Sequence, residues 1–310
     1  MKKDNLLFSI GVLTYNSEAT ILETLNSIRD IDYPNIELII SDDCSKDATL
    51  DKCEKWLSEN DKRFTRTCLL TVSHNTFTSA NCNRALNECE GDWVCLVAGD
   101  DVLYRDSILR IIDYINDNPS AQWIVGKYNK FHDSCVPENF INEGTEFNSD
   151  WKNKFLLDSH EQYISILSSN FICLPTAFCQ RQVLLNVGGY DEKYGILEDY
   201  PMNIKLLKNN VKCYLIDDYI MGYRMGVSNV SNSTSKLFNI NQRRSHYQVL
   251  EDFCFEYYSP MKIRNAKNKI LMSELFYRLG MDKNNLLNRK LFTLFSRLND
   301  FIFKGQIINI

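Results

Sequence analysis

Short apolar runs alternate with segments of helical spacing over roughly the first third of this 310-residue chain. The runs lie at Leu6–Leu13, Ile36–Ile40, Leu69–Val72 and Trp93–Ala98. Runs of this length, separated by helical segments, predict parallel strands joined by helices. The run that ends at Ala98 is apolar on both faces, which predicts a central strand covered by helices on both sides.

Polar residues follow three of these four predicted strands. They are the pairs Tyr15-Asn16, Asp42-Asp43 and Asp100-Asp101. Ligands of open α/β sheets bind at the carboxyl ends of the strands, so the three pairs predict a ligand site at that edge. Two adjacent aspartates repel each other, and a divalent cation between them and a phosphate would relieve the repulsion. Taken singly, Gly-Asp-Asp is also ordinary turn composition.

The remaining pattern predicts further elements. Asn16 or Ser17 can cap the helix that follows the first strand. Residues 132–160 show little periodicity and predict a loop of the kind that shapes a substrate site. The segment Leu174–Phe178 is apolar and is expected to be extended, and the last clear strand is predicted over Val211–Ile216.

Charge and composition narrow the class of protein. The formal net charge of −5 makes binding of nucleic acid or another polyanion unexpected. Eleven cysteines without a Cys-x-x-Cys pair, and four histidines without a second ligand at metal-binding spacing, predict neither disulfides nor a zinc site. The first residues lead straight into a strand, and no apolar run approaches the ~20 residues of a membrane span, so a cytoplasmic protein is expected.

Four segments together resemble the nucleotide-binding half of family 2 glycosyltransferases with the GT-A fold. They are Val12–Asn16, Asp42–Asp47, Asn81–Leu86 and Ala98–Asp101, the last being an Ala-Gly-Asp-Asp version of the family's DXD motif. The resemblance implies an α/β, GT-A type nucleotide-diphospho-sugar transferase fold with a mostly parallel sheet flanked by helices. Neither a Gly-x-Gly-x-x-Gly nor a Gly-x-x-x-x-Gly-Lys motif follows the first strand, so no dinucleotide site or P-loop is indicated. Cys44 stands where the family usually has glycine, which tests whether that position needs a positive φ.

The same resemblance implies roles for the polar strand ends. Tyr15 would stack on the base of a UDP-sugar, and Asp43 would accept a hydrogen bond from uracil N3–H. Asp101, helped by Asp100, would hold Mn²⁺ or Mg²⁺ against the diphosphate. The structural alternatives are a packed aromatic side chain at Tyr15 and a helix cap at Asp43. The residues expected at the nucleotide are Thr14, Tyr15, Asn16, Asp42, Asp43, Asn83, Asp100 and Arg224, and the metal ligands are Asp101 and Asp100.

The later part of the chain resembles the acceptor half of the same family. A turn at Gly188–Glu192 precedes Glu198 and Asp199, and the aspartate of such a pair is the family's usual general base. A sugar hydroxyl that attacks an anomeric carbon must lose its proton, which a carboxylate can accept. The alternative is that the pair begins a helix predicted over 202–207, where carboxylates favour the helix dipole. Arg224, in the family's closing Tyr-Arg motif, either helps to bind diphosphate or is a surface arginine.

Residues 236–310 differ from the rest in charge and pattern. They hold 13 Lys and Arg against 6 Asp and Glu, and their leucines repeat at helical spacing. We therefore expect a GT-A catalytic domain over 1–235, with a nucleotide-binding half at 1–102 and an acceptor half at 103–235, followed by a basic helical segment. Basic amphipathic helices favour a membrane surface, which predicts membrane contact through 240–310. The alternative is a helical cap on the catalytic domain or on a second subunit of a homo-oligomer.

The function implied by the resemblance is inverting, metal-dependent transfer of a hexose from a nucleotide sugar, with UDP as the expected nucleotide. The acceptor would be a glycan or lipid-linked saccharide of a bacterial surface polysaccharide such as O-antigen or capsule, assembled in the cytoplasm or at the inner face of its membrane. One alternative is a sugar nucleotidyltransferase, which would need a Gly-rich basic loop after the first strand. The other is a GT-A-like scaffold protein, which would not hydrolyse a UDP-sugar even slowly.

Overall fold

The computed structural model of the protein describes residues 5–141, 149–172, 174–226 and 235–308. The chain forms two compact units. The first unit contains Met1–Ser165 and Asn170–Met225, and the second contains Ile166–Ser169 and Gly226–Ile310. The functional division that the sequence predicts at residue 235 stays a prediction.

The first unit contains one eight-stranded sheet. Its strands are β1 (Phe8–Thr14), β2 (Ile36–Asp42), β3 (Arg66–Thr71), β4 (Trp93–Ala98), β5 (Val102–Leu103), β6 (Trp123–Phe131), β7 (Phe178–Gln180) and β8 (Tyr214–Arg224), in the order β3-β2-β1-β4-β7-β6-β8-β5. The pairings of β1 with β2 and β4, of β2 with β3, and of β6 with β8 are parallel. β7 is antiparallel to both of its neighbours, and β5 is antiparallel to β8. The carboxyl ends of β1, β2 and β4 therefore meet at one edge, as the apolar pattern predicts.

Helices flank this sheet. They are α1 (Ile21–Arg29), α2 (Thr49–Asn60), α3 (Phe77–Glu88), α4 (Ser107–Asp117), α5 (Ser149–Leu156), α6 (Ser159–Ile166), α7 (Arg181–Asn186) and α8 (Asp199–Lys208). The predicted apolar face of α1 is confirmed, because Ile21, Leu25 and Ile28 are fully buried. They join one core with strand residues such as Phe8 and Leu38. Burial of such faces on both sides of the sheet accounts for the continuous apolar runs of its strands.

The prediction of a loop over residues 132–160 is wrong for the second half of this segment. Residues Ser149–Leu156 form α5, and Trp151 and Phe155 pack with ring centroids 4.5 Å apart. Phe155 also contacts Phe171 edge to face. Charged residues between these aromatics conceal the helical period in the sequence, and the aromatic contacts decide the structure. Residues 142–148 of the predicted loop lie outside the described residues.

Two predicted extended segments have different bounds in the structure. Leu174–Thr176 forms a 3₁₀ turn, since Pro175 has no amide hydrogen to donate to a ladder. β8 runs on to Arg224, well past the predicted end of the last strand. Asp217 breaks the apolar pattern there, at a point where the register of β6 and β8 shifts. Its exposed carboxylate pairs with Lys127 at 3.1 Å, so a charged residue is accommodated inside the strand.

Helices dominate the second unit. They are α9 (Ile240–Val249), α10 (Pro260–Arg278) and α11 (Leu286–Ile302), and the side chain of the preceding residue caps each one: Asn239, Ser259 and Asn285. Phe276 of α10 packs on Phe292 of α11 with ring centroids 5.2 Å apart. Within the described ranges of the chain, no helix combines the length and apolar content needed to cross a membrane.

Candidate active site

Polar contacts tie the loop after β1 to the loop after β2. The Asn16 amide donates to Ser45 Oγ at 2.8 Å, and Asn16 Oδ1 accepts from the Lys46 amide at 2.8 Å. The prediction that Asn16 or Ser17 caps α1 is wrong, because α1 begins further along the chain without a side-chain cap. Tyr15 directly precedes Asn16, and its side chain is 46% exposed. This exposure argues against the alternative of a packed aromatic side chain. A base can stack on an exposed aromatic ring of this kind.

Thr14 and Asp42 lie beneath these two loops. Thr14 Oγ1 donates to Asp42 Oδ1 at 2.9 Å, and Asp42 Oδ2 accepts from the Ser45 amide at 2.9 Å. Both residues are only 1% exposed. Their burial and mutual hydrogen bond favour a positioning role over the direct nucleotide contact that the sequence predicts.

Cys44 has the positive φ that is expected at a position where the family usually has glycine. Its φ is 66°, in the left-handed region where glycine is normally found. The position therefore has a positive φ even with cysteine, which costs of the order of 1–3 kcal/mol. The neighbouring loop contacts hold this strained backbone, and Lys46 Nζ lies 2.8 Å from the Cys44 sulfur.

The Asp43 carboxylate faces the start of α3. Asp43 Oδ1 accepts from Thr76 Oγ1 at 2.6 Å and from Arg84 Nη2 at 2.9 Å. The Thr76 amide donates to both carboxylate oxygens, and this is the only hydrogen bond that Oδ2 receives from the described residues. Thr76 directly precedes α3, and no side chain among the described residues caps α2 or α3, so the helix-cap alternative is not supported. Since each carboxylate oxygen can accept two hydrogen bonds, Oδ2 can still accept one from a ligand.

Arg84 and Thr76 were not predicted as partners of Asp43. Arg84 lies within the motif segment Asn81–Leu86, so its charge was the available signal. It is separated from Asp43 by 41 residues, and only the fold brings the two to an ion pair of 2.9 Å.

Asn83 joins α3 to the turn at residues 188–192. Its Oδ1 accepts from the Tyr190 amide at 2.7 Å, and its Nδ2 donates to the Tyr190 carbonyl at 2.8 Å and to Glu192 at 2.9 Å. These bonds use both ends of the side-chain amide. They favour a structural role for Asn83, which holds the turn at residues 188–192 in place, over the predicted nucleotide contact.

Asp101 carries an unpartnered buried oxygen. Asp101 is 1% exposed, and its Oδ1 accepts from the Arg224 amide at 2.9 Å. Oδ2 has no hydrogen-bond partner in the part of the chain that the structure describes. Burial, and then the neighbouring Asp100 carboxylate, raise the pKa of Asp101 well above its ordinary value. Leaving a carboxylate oxygen buried and unpaired is costly, so the arrangement fits a cation.

Gly99 brings this acidic pair against the loop after β1. The Gly99 amide donates to the Leu13 carbonyl at 2.8 Å, and a Cβ on Gly99 would lie 3.2 Å from Ser17 Oγ. Among the described residues, no three His, Cys, Asp or Glu side chains form a group that could hold a metal alone. Asp100 and Asp101 therefore fit a Mg²⁺-type site that is completed by phosphate oxygens and water.

Arg224 forms hydrogen bonds with both residues of the acidic pair Asp100-Asp101. Its Nε donates to the Asp100 carbonyl at 2.8 Å, and its two other nitrogens donate to the Asp133 carbonyl and the Glu23 carboxylate. At 7% exposure it is not a surface arginine, so that alternative is wrong. Since all three guanidinium nitrogens are engaged by the protein, the geometry favours positioning of Asp100 and Asp101 over the predicted diphosphate contact. Glu23, which no sequence pattern indicated, pairs with the buried guanidinium.

Glu198 and Asp199 lie at the start of α8. Asp199 Oδ1 accepts from the Tyr200 amide at 2.6 Å, as expected of a carboxylate in a first helical turn. Its Oδ2 accepts from Asn170 Nδ2 at 2.9 Å, and Asn170 Oδ1 in turn accepts from Asn203 at 3.0 Å. The two asparagines orient the carboxylate and were not predicted. The helix-start and general-base interpretations of Asp199 are therefore compatible.

Burial raises the pKa of both carboxyl groups of this pair. It raises the pKa of Asp199, against the opposing effect of the hydrogen bonds from Tyr200 and Asn170. Burial, and then the Asp199 charge, raise the pKa of Glu198 to about 8. The segment before them is anchored to α3, because the Ser79 amide donates to the Gly195 carbonyl at 2.9 Å. The contacts that hold Asp43 and those that hold the Glu198 segment thus meet at the start of one helix.

We expect the unliganded protein to lose stability as the pH rises from about 5 to about 8, because a carboxyl group with a raised folded-state pKa binds more protons folded than unfolded in this interval. For Glu198 the interval runs from 4.5 to about 8. In Glu198→Gln the melting temperature should therefore depend less on pH and rise most at high pH. Each kcal/mol regained corresponds to roughly 2–4 °C for a domain of 150–250 residues.

Scanning calorimetry of the parent and the variant over this pH range measures the effect. Glu59→Gln, on the exposed side of α2, is the matched control and should follow the parent. Parallel pH profiles for Glu198→Gln and the parent would contradict the assignment of the raised pKa to Glu198.

Two solved structures have a fold similar to that of this chain. Mannosyltransferase PcManGT from Pyrobaculum calidifontis, in complex with GDP-Man and Mn²⁺, aligns with a TM-score of 0.62 at 16% identity, over 96% of this chain and 75% of that one. TarS of S. aureus in complex with UDP-GlcNAc aligns with a TM-score of 0.58 at 21% identity, over 80% of this chain and 66% of that one. The chain therefore has the GT-A fold, and the α/β prediction is confirmed.

The sequence comparisons give the family. The model for glycosyl transferase family 2 matches residues 9–172, just over half of the chain. The chain belongs to this family. It is 31% identical over 138 residues to the poly(ribitol-phosphate) β-N-acetylglucosaminyltransferase TarS of Staphylococcus aureus, spanning 44% of this chain but only 23% of TarS. It is 25% identical over 206 residues to a PGL/p-HBAD biosynthesis glycosyltransferase of Mycobacterium tuberculosis, over 66% of this chain and 70% of that protein.

Proposed function

We propose that the protein is an inverting, metal-dependent glycosyltransferase that moves a hexose from a UDP-sugar to a saccharide acceptor. The observation that carries the proposal is the buried Oδ2 of Asp101, which has no hydrogen-bond partner among the described residues. It lies beside Asp100, at the edge of the sheet where β1, β2 and β4 end. Membership of glycosyl transferase family 2 supports transfer of a sugar as the reaction. A structural scaffold would have no need for an unpaired carboxylate oxygen at this edge.

The donor nucleotide would lie between Tyr15 and Asp43. Tyr15 offers an exposed aromatic face to a base, and Asp43 Oδ2 offers an acceptor to an N–H group. Uracil presents such a donor at N3, whereas cytosine presents an acceptor at the same place. Because Asp43 is only 3% exposed, a base would approach it edge-on. The preference for UDP is also in keeping with TarS, which is described in complex with UDP and with UDP-GlcNAc.

Asp101 and Asp100 would hold the metal ion. A bound Mn²⁺ or Mg²⁺ supplies charge stabilisation to the departing diphosphate. The chain's own part is to keep both carboxylates in place: the Arg224 amide fixes Asp101 Oδ1, and the Arg224 guanidinium fixes the Asp100 carbonyl. The Glu23 carboxylate pairs with this arginine and holds its guanidinium in place.

Asp199 would accept the proton of the attacking acceptor hydroxyl. Its pKa is raised by burial, which brings the carboxylate closer to the pKa that a general base needs at neutral pH. The Asn170 amide orients one oxygen, and the other is held by the first turn of α8. A single displacement by the hydroxyl inverts the anomeric centre. Glu198 would keep the pair from carrying two full charges, since its own pKa lies near 8.

The acceptor would be a glycan or a lipid-linked saccharide in the synthesis of a bacterial surface polysaccharide such as O-antigen or capsule. The relative TarS, whose name gives poly(ribitol-phosphate) as its acceptor, supports a polymeric acceptor. The reaction would take place in the cytoplasm or at the inner face of its membrane.

A ligand screen tests the proposal. Thermal unfolding would be followed with UDP-, dTDP- and GDP-sugars, each with and without Mn²⁺, together with the slow release of free nucleotide diphosphate. We expect stabilisation and slow hydrolysis with a UDP-sugar, and only when the metal is present. If none of the three sugar nucleotides stabilises the protein with metal present, the proposal is wrong.

Asp43→Asn is expected to weaken binding of UDP itself. Oδ1 faces the Thr76 hydroxyl and Arg84, so the carboxamide oxygen must take that place and the NH₂ group must take the place of Oδ2. A donor would then face uracil N3–H, and the loss should be roughly 5- to 150-fold in affinity. Binding of CDP should weaken less or improve, because cytosine N3 accepts. Calorimetry with UDP and CDP measures both affinities.

Asp51→Asn on the exposed face of α2 is the matched control and should leave both nucleotide affinities unchanged. The Asp43 assignment would be rejected if the Asp43→Asn variant bound UDP as tightly as the parent does.

A further inference from the structure

Helix α10 presents an uncovered row of leucines. Leu271, Leu275 and Leu279 follow one another at intervals of four residues and are 65%, 55% and 62% exposed. Residues at this interval lie on one side of a helix. The buried residues of α10, Ser273 and Phe276, lie on its other sides. The leucine row is therefore not used for packing within the described part of the chain.

Helix α11 presents a second row. Leu287, Leu294 and Leu298 are spaced by seven and four residues and are 66%, 53% and 46% exposed, and Phe301 continues the row at 84%. The inner side of α11 is a different one, where Phe292 meets α10 and Asn288 is buried. We call the two rows together the leucine face.

The two rows lie on the same side of the α10–α11 pair. Asn268 contacts Asn299 and Phe276 contacts Phe292, so the two helices run antiparallel. Successive residues of a helix lie 100° apart around its axis, so the contacting residues fix the direction in which every other residue of each helix lies. Leu275 of α10 and Leu298 of α11 then lie on the same side of the pair. Solvent-exposed apolar surface of this extent marks an interaction site in soluble proteins.

Basic residues border the leucine face. The two helices contain eight Lys and Arg against two acidic residues, Glu274 and Asp300. Both acidic side chains are already paired, Glu274 with Arg244 and Asp300 with Lys269. The exposed side chains Arg264, Lys267, Lys290 and Arg297 form no ion pair with a carboxylate in the described residues. The border of the face therefore carries uncompensated positive charge.

We propose that the leucine face docks on an anionic lipid membrane, with the leucines in the headgroup–acyl boundary and the basic border on the lipid headgroups. Apolar side chains flanked by lysine and arginine are the features that hold a helix in this boundary. A second copy of the chain fits less well, because a two-fold contact would bring two uncompensated basic borders together. The inference concerns residues of the second unit alone and does not rest on the proposed function.

Vesicle sedimentation with the full chain tests the inference. The protein should sediment with vesicles of phosphatidylcholine and phosphatidylglycerol, should stay in solution with phosphatidylcholine alone, and should dissociate as salt is added. Leu294→Glu places a charge in the centre of the face and should reduce vesicle binding by roughly tenfold or more. Because Leu294 is exposed, the melting temperature should be unchanged. Gln248→Glu, exposed on α9 and so outside both leucine rows, adds the same charge; it is the matched control and should bind vesicles nearly as the parent does.

The double variant Lys290→Gln/Arg297→Gln measures the electrostatic contribution to vesicle binding. Each basic residue near an anionic surface contributes about a fivefold change in binding, so the double variant should lose roughly 25-fold. Equal vesicle binding by the parent and Leu294→Glu would overturn the proposal. It would also be overturned if the parent ignored anionic vesicles, and a concentration-dependent dimer that Leu294→Glu dissociates would then assign the face to a second copy. UDP binding, measured on the same samples, distinguishes a failure here from a failure of the proposed enzyme function.

Discussion

Asp199→Asn is expected to lower kcat by roughly 10²–10⁴, the usual contribution of a positioned general base. The substitution keeps the size of the side chain and the bond to the Tyr200 amide, but the carboxamide cannot accept a proton. The loss should appear in kcat and not in UDP affinity, since the proposed contact is with the acceptor hydroxyl and matures in the transition state. Steady-state rates of sugar transfer, with UDP affinity from calorimetry, separate the two quantities.

Glu198→Gln is the neighbouring comparison and should cost much less. Glu198 has a pKa near 8, so it carries a proton for much of the time at neutral pH and is the poorer base there. If Glu198→Gln were the more damaging change, the role of general base would move to Glu198. Near-normal turnover by both variants would mean that the pair only begins α8.

Asp101→Asn should abolish metal-stimulated turnover while making the unliganded protein more stable. Removing a metal ligand forfeits several kcal/mol of transition-state stabilisation, or about 10²–10³ in rate. The variant also removes a buried charge whose Oδ2 lacks a partner among the described residues, so the free energy of unfolding should rise. A residue with a merely structural role would lose stability and activity together. Turnover against added Mn²⁺, and melting temperature without it, measure the two effects.

Asp113→Asn, an exposed carboxylate on α4, is the control for the change of charge and should alter neither quantity. The parent itself should lose activity when EDTA removes free metal. Full activity of the parent in EDTA, or unchanged metal stimulation in Asp101→Asn, would show that the acidic pair has another role.

The apolar pattern was sufficient for the parallel half of the sheet. The predicted strands at Ile36–Ile40 and Trp93–Ala98 lie within two residues of β2 and β4, and their carboxyl ends share the predicted edge. Strand–helix–strand units are contiguous in sequence, so local periodicity defines them. The antiparallel strands β5 and β7 are only two and three residues long, too short to show a period.

Polar side chains were harder to assign, because their partners are remote in sequence. Asn83 was expected at the nucleotide and instead bonds to Tyr190, 107 residues away. Arg224 was expected at the diphosphate, but its guanidinium pairs with Glu23, 201 residues away, and this geometry favours a positioning role. A sequence motif shows which residue type stands at the end of a strand. The hydrogen bonds of that residue depend on which other helices and strands the fold places next to it.

The sequence by itself determined that two carboxylates follow a buried central strand, at the edge where β1, β2 and β4 end. The tertiary structure alone decided how the two oxygens of Asp101 differ: one is held by the Arg224 amide of β8, and the other is buried without a partner in the described chain. The physical reason is that adjacency along the chain fixes where a charge lies, whereas its burial and its hydrogen bonds come from distant strands.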